Sequence, residues 1–207
     1  MYKYSPFQIK EETSKTETVV SPADIMKKIM DRKSVAVDFH HKLMLIFSYL
    51  NLKGFKKMQK YRHIVESMDS IELEKRYMDK YSKIYIGGGS KVVVNPMNIM
   101  ECENNFSISV DKKRAIIKSL FELWHNWEVE TRSLMCEYIN AIEDSEDAYM
   151  VICTLEKELK FLEEEIRSIK KYISELTDVD WCIKYIYGMQ KHLHDKYEHE
   201  IEEFFED

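Results

Sequence analysis

The sequence predicts an all-α protein: an antiparallel four-helix bundle with a long crossover between helices two and three, plus a fifth C-terminal helix. Three observations carry that expectation. Helix breakers are scarce, with 5 glycines and 3 prolines in 207 residues, so long segments run with nothing to interrupt a helix. Apolar residues recur at intervals of four and three over four segments of about 27–32 residues, the period of a helix that buries one stripe. One stretch, 83–111, differs in kind: "KIYIGGGSKVVVNPMNIMECENNFSISV" mixes a glycine run, a proline and β-branched clusters, as an extended connection does.

Each element follows from its residues. Residues 1–20 are polar and rich in Lys, Glu, Thr and Ser, and read as a flexible N-terminal arm ahead of a single helical-bundle domain over 21–207. At "SPAD", Ser21 caps a helix, Pro22 suits its first position and Asp24 completes a capping-box pattern. Ile25, Ile29, Arg32, Ala36, Phe39, Leu43, Ile46 and Leu50 then form one stripe along a helix of about 29 residues, roughly 43 Å long. Arg32 is its single charged member, expected to snorkel outward or to meet a buried carboxylate.

"NLKG" turns the chain into a second helix over 55–82, with Tyr61, Ile64, Val65, Met68, Ile71 and Met78 expected inward. The connection 83–111 follows, with a short hairpin of 84–86 against 92–94. A third helix starts after Asp111 as cap and buries Ile116, Leu120, Trp124, Trp127, Thr131, Leu134, Tyr138 and Ala141. "EDSED" at 143–147 is a turn. The fourth helix shows the cleanest seam, from Ala148 through Leu155, Leu162 and Ile169 to Leu176. A fifth, opened by Asp178 or Asp180, turns Cys182, Ile186, Met189, Leu193, Tyr197 and Phe204 inward. Long helices with one apolar stripe must pack together to bury it.

Composition narrows the function classes. The chain is 44% hydrophobic and 33% charged with net charge −6 and a pI near 5.7, so a general basic field for nucleic acid is absent. No apolar run reaches the roughly 18–20 residues of a membrane span, and the first residues lack the apolar core of a signal peptide. Cys102, Cys136, Cys153 and Cys182 are scattered without a C-x-x-C pair, as expected for reduced thiols in a cytoplasmic protein. The Lys-, Ile- and Glu-rich style suits a phage or mobile-element protein from an AT-rich genome.

"LKGF" at 52–55, Glu66 eleven residues beyond Phe55, and the later "GGGSKVVV" resemble the ferritin helix A–B turn, helix B ligand and B–C connection. The resemblance to the ferritin-like superfamily covers about residues 22–176. It implies an iron site of carboxylates and histidines aimed into the bundle. Glu66 would be the helix-two glutamate, with Asp69 standing where the family has its histidine. Asp31 would serve from helix one, Glu128 from helix three, and Glu156 or Glu158 from helix four.

Helical periodicity points the other way. At about 100° per residue, Glu66 falls about 150° from the apolar centre of its helix, Asp31 about 100° and Glu128 about 70° from theirs. The fourth helix has no acid within its seam. The expectation is therefore a core that is apolar from end to end, with the ligand set degraded and no cofactor bound.

Other constellations are weaker. In "KHLHDKYEHE", His192, Asp195 and His199 share one helical face, and two imidazoles with a carboxylate suit zinc, iron or nickel; the plain alternative is a solvated, mixed-charge face. Asp38 with His41, and His125 with Glu128, form further polar pairs read as surface or boundary groups. "GGGSK" at 87–91 does not match a phosphate loop, and no cysteine or serine stands in a nucleophile motif. Tyr77, Tyr81, Tyr85 and Tyr187 fall outside the stripes and suggest interface tyrosines.

The function expected is that of a non-enzymatic module: an acidic helical bundle that acts by binding a protein partner, with homo-oligomerisation a further option. The alternative is a ferritin-like metal-binding protein or ferroxidase using Glu66, Asp69, Glu128 and an acid of the fourth helix.

Overall fold

The structure is a computed structural model that describes residues 19–87 and 108–206. The expectations for the N-terminal arm and for a hairpin involving 92–94 lie outside the described residues. Among those residues the chain is a helical bundle of five helices: α1 (Pro22–Tyr49), α2 (Lys53–Tyr81), α3 (Val110–Ala141), α4 (Ala148–Asp178) and α5 (Ile183–Glu206). Ser21 caps α1 through Asp24, as its pattern predicts. Ser109, rather than Asp111, caps α3 by accepting from the Lys112 amide. No helix among the described residues is long and apolar enough to cross a membrane.

Local contacts fix the directions. Val20, just before α1, exchanges backbone hydrogen bonds with Ala141 and Glu143 at the end of α3, at 2.8 and 3.0 Å. Lys80, late in α2, pairs with Asp147 just before α4. At the opposite end Phe47 of α1, Phe55 of α2 and Phe121 of α3 pack ring against ring, and Trp181 beside the start of α5 joins Phe121. So α1 and α4 run one way, and α2, α3 and α5 run the other.

The turn at Asn51, which takes a positive φ of 58°, brings α2 back along α1. Gln190 of α5 covers the start of α2, its Oε1 accepting from the amides of Gly54 and Phe55 at 2.8 and 3.3 Å. A Cβ on Gly54 would lie 2.5 Å from the Gln190 carbonyl oxygen. The glycine of "LKGF" therefore serves the close approach of α5.

The core has two apolar ends and a polar middle. One cluster gathers Phe39, Leu43, Phe47, Phe55, Leu120, Phe121, Trp124, Ile169 and Trp181. The other gathers Ile25, Met26, Ile29, Met30, Leu73, Tyr77, Met135, Val151 and Leu155. Between them lie buried Lys33, His40, Gln59, Arg62, Glu66, Glu128 and Glu158. This corrects the expectation of an interior apolar throughout.

The cause is α2, which faces opposite to its expected orientation. Phe55, Met58, Gln59, Arg62, Glu66, Ser70, Leu73 and Tyr77 are buried. Of the residues expected inward, Ile71, Met68 and Met78 are 60%, 48% and 42% exposed. Tyrosines fare differently from expectation as well: Tyr77 is fully buried against Tyr81, and the Tyr85 hydroxyl donates to Asp31 Oδ1 at 2.5 Å. Of the four singled out, Tyr187 is the one that is well exposed.

Candidate functional site: a charged layer at mid-bundle

Lys33 sits on α1 one turn past the cluster of Ile29 and Met30, on the side facing α2 and α4. Its side chain is 5% exposed, and its Nζ donates to Glu66 Oε2 at 2.9 Å and lies 2.6 Å from Glu158 Oε2 and 3.4 Å from Asp69 Oδ2. Three carboxylates from two helices thus converge on one ammonium. Burial pushes Lys33 towards neutrality, but Glu66, Glu158 and Asp69 outweigh it and its pKa is raised. The ammonium stays charged at every physiological pH.

Arg62 supplies the second buried cation. Its Nη1 meets Glu165 Oε2 at 3.3 Å, its Nη2 lies 3.6 Å from Glu66 Oε1, and its guanidinium lies over the Phe161 ring at 4.1 Å. Burial alone would raise Glu66, yet Lys33 and Arg62 together hold its pKa below the ordinary value. Glu158 shares Lys33 with two other acids, so burial wins there and its pKa is raised. Burial likewise raises Glu165 against the opposing pull of Arg62. A buried carboxylate is tolerable when a cation or a proton neutralises it, and this layer uses both.

A third pair completes the layer. His40 Nδ1 lies 2.8 Å from Gln59 Oε1; an amide oxygen only accepts, so Nδ1 carries the hydrogen and Nε2 turns to Glu128 Oε1, 3.6 Å away. Trp124 Nε1 donates to that same oxygen at 3.0 Å. Burial pushes Glu128 up to about 8 and His40 down to about 4, the latter aided by Arg62. At neutral pH both are uncharged, with the proton on Glu128. Beside this pair, Gln59 Nε2 and the Nε and Nη2 of Arg62 are buried without a hydrogen-bond acceptor among the described residues.

The residues named from the sequence fall into two groups. Glu66, Glu128 and Glu158 all face inward, correcting the outward orientation that periodicity assigned to Glu66 and Glu128 and the reading of the fourth helix as acid-free inside. Asp69 is at the edge of the layer, with a side chain 25% exposed. Asp31 points to Tyr85, and Glu156 is exposed. His192, Asp195 and His199 are exposed on α5, and His199 pairs with Glu203 at 3.1 Å. Arg32 takes neither expected path alone: it stacks on Trp127 at 3.5 Å and donates to Thr131 Oγ1 at 2.6 and 2.9 Å.

Lys33, Arg62, Glu165, His40 and Gln59 were missed as members of the site. For Gln59 and Arg62 the signal was in α2's other face, where Phe55, Gln59, Arg62, Glu66, Leu73 and Tyr77 also follow helical spacing.

Iron or zinc needs several deprotonated side chains turned to one point. Here the carboxylates of Glu66, Asp69 and Glu158 are turned to the Lys33 ammonium, and Glu128 faces His40 on the other side of Arg62. Among the described residues no group of three or more His, Cys, Asp or Glu side chains is arranged to hold a metal ion. The donor set as placed does not fit the ferritin-like metal centre. Comparison with known protein families, curated proteins and solved structures finds no match.

Proposed function

We propose that this chain is a non-enzymatic protein-interaction module on a ferritin-like scaffold, in which α1 to α4 form the antiparallel four-helix bundle and α5 is an addition that closes one side. Supporting the scaffold reading, α2 and α3 run in the same direction, so their connection joins opposite ends of the bundle, a feature of ferritin-like connectivity. Supporting the cytoplasmic location we assign, Cys136, Cys153 and Cys182 are free thiols.

The observation that carries the reading is the reversal of α2. Its charged face is consumed internally by Lys33, Arg62 and their carboxylates, and its apolar face is left to solvent at Met68, Ile71 and Met78. Contiguous exposed apolar residues mark interaction surfaces more often than scattered ones do. The ferroxidase alternative would require Lys33 to leave the carboxylates it now holds.

The test is capture from the native host's lysate on the immobilised full-length chain. A partner that saturates, and that excess soluble chain displaces, supports the module. Absence of any saturable partner contradicts it.

A further inference from the structure

We propose that the solvent face of α2 is a docking surface for an amphipathic helix of a partner protein, one whose seam is flanked by basic residues. The proposal rests on the protein-binding reading above and specifies the surface and the partner's chemistry. Ile64, Met68, Ile71, Lys75 and Met78 follow at intervals of four, three, four and three. That is the spacing of one side of a two-stranded coiled-coil seam; Ile64 is half-buried, and Met68, Ile71, Lys75 and Met78 are exposed.

Neighbouring helices hold the other sides of α2. On one side His63 Nδ1 lies 3.1 Å from the Val37 carbonyl oxygen of α1. On the other, Tyr61 packs on Tyr197 and Lys57 pairs with Glu198 of α5. Lys57 and Tyr61 continue the same stripe towards the start of α2, so α5 covers that end, and the stripe is open from Met68 to Met78.

Charge selects the occupant. The positions that border such a seam are Ser67 and Glu74 on one side, and Val65, Glu72 and Asp79 on the other. Three of the five are acidic and none is basic. Among the described residues Arg76 already pairs with Glu72 and Lys80 with Asp147, which leaves Glu74 and Asp79 as the flanking acids without a cation of this chain.

A second copy of this chain fits poorly. In parallel register it would set Glu74 against Asp79 and Lys75 against Lys75; antiparallel, it would set Glu74 against itself and Glu72 against itself or Asp79. Like charges at these positions specify against a pairing. An anionic lipid surface meets the same acids. A helix with Lys or Arg beside its own apolar seam satisfies Glu74 and Asp79, and an acid within that seam meets Lys75.

The probe is a displayed library of three-heptad helical peptides, apolar at the seam and randomised at the flanks, selected on the full-length chain. The expected winners carry Lys or Arg at the flanks, bind saturably, weaken with added salt, and lose about tenfold or more in affinity against Ile71→Glu or Met78→Glu. Acidic-flanked winners, no saturable peptide, or binding unchanged in both variants would overturn the surface assignment. The wider protein-binding reading falls separately, if host capture also yields nothing saturable. A benzophenone side chain placed at position 71 of the pure chain supplies one more check: crosslinking to a second copy or to residues 88–107 of the same chain overturns the proposal.

Discussion

Replacing Lys33 with methionine is the sharpest perturbation of the charged layer. Methionine keeps most of the lysine stem and removes the ammonium, leaving Glu66 and Glu158 buried with one cation fewer. Removing one partner of a buried ion pair costs about 3–5 kcal/mol. Lys33 faces two buried carboxylates at 2.9 and 2.6 Å, whereas Asp69 at 3.4 Å is partly exposed and can rehydrate. The loss should therefore sit at the upper end, about 5 kcal/mol, a large share of the ~5–15 kcal/mol that holds a typical domain.

Urea denaturation followed by circular dichroism measures this loss. The deficit should be greatest near pH 7 and shrink towards pH 5. Without the ammonium, Glu66 and Glu158 bind protons more tightly folded than unfolded, so lowering the pH stabilises the variant. Adding Glu158→Gln to Lys33→Met should restore part of the loss, which keeps the test readable even if the single variant barely folds. A Lys33→Met protein within about 0.5 kcal/mol of wild type, with no added pH dependence, would refute the reasoning.

Other expectations follow from individual contacts. Glu128 is raised from 4.5 to about 8 in the fold, so the folded state keeps a proton that the unfolded state releases, and stability should fall as pH rises from about 4.5 to about 8; Glu128→Gln should flatten that contribution in denaturation curves taken from pH 5 to 9. His40, lowered from 6.5 to about 4, acts in the opposite sense, and its contribution should be lost as pH falls through that interval. Gly54→Ala places a Cβ against the Gln190 backbone and should cost about 1–3 kcal/mol, with faster amide exchange in α5 than in α4. Ile71→Glu, on an exposed position, should change stability by less than about 0.5 kcal/mol while abolishing partner capture.

The helices were legible from the sequence because their signals are local: Ser21 and Pro22 at the start of α1, the four-three seam of α4, and the turn at "NLKG". The orientation of α2 was not, because an apolar count decides it only when burial of carbon surface is the main consideration. Ile64, Met68, Ile71 and Met78 form the more apolar stripe, yet Arg62 and Glu66 go inside because Glu165 and Lys33 on other helices neutralise them there. That compensation is a property of several helices at once, and no periodicity within α2 contains it. Trp124 and Glu128 show the same limit. One turn apart, they form a hydrogen bond that draws Glu128 into the core, but the His40 that makes its burial tolerable comes from α1.

The central claim is that lysine and arginine, rather than a metal ion, balance the carboxylates at mid-bundle. Elemental analysis of the full-length protein purified from cells supplied with iron and zinc tests this most directly. The account predicts metal far below one atom per chain, unchanged by Glu66→Ala. Near-stoichiometric iron that disappears in Glu66→Ala would contradict it.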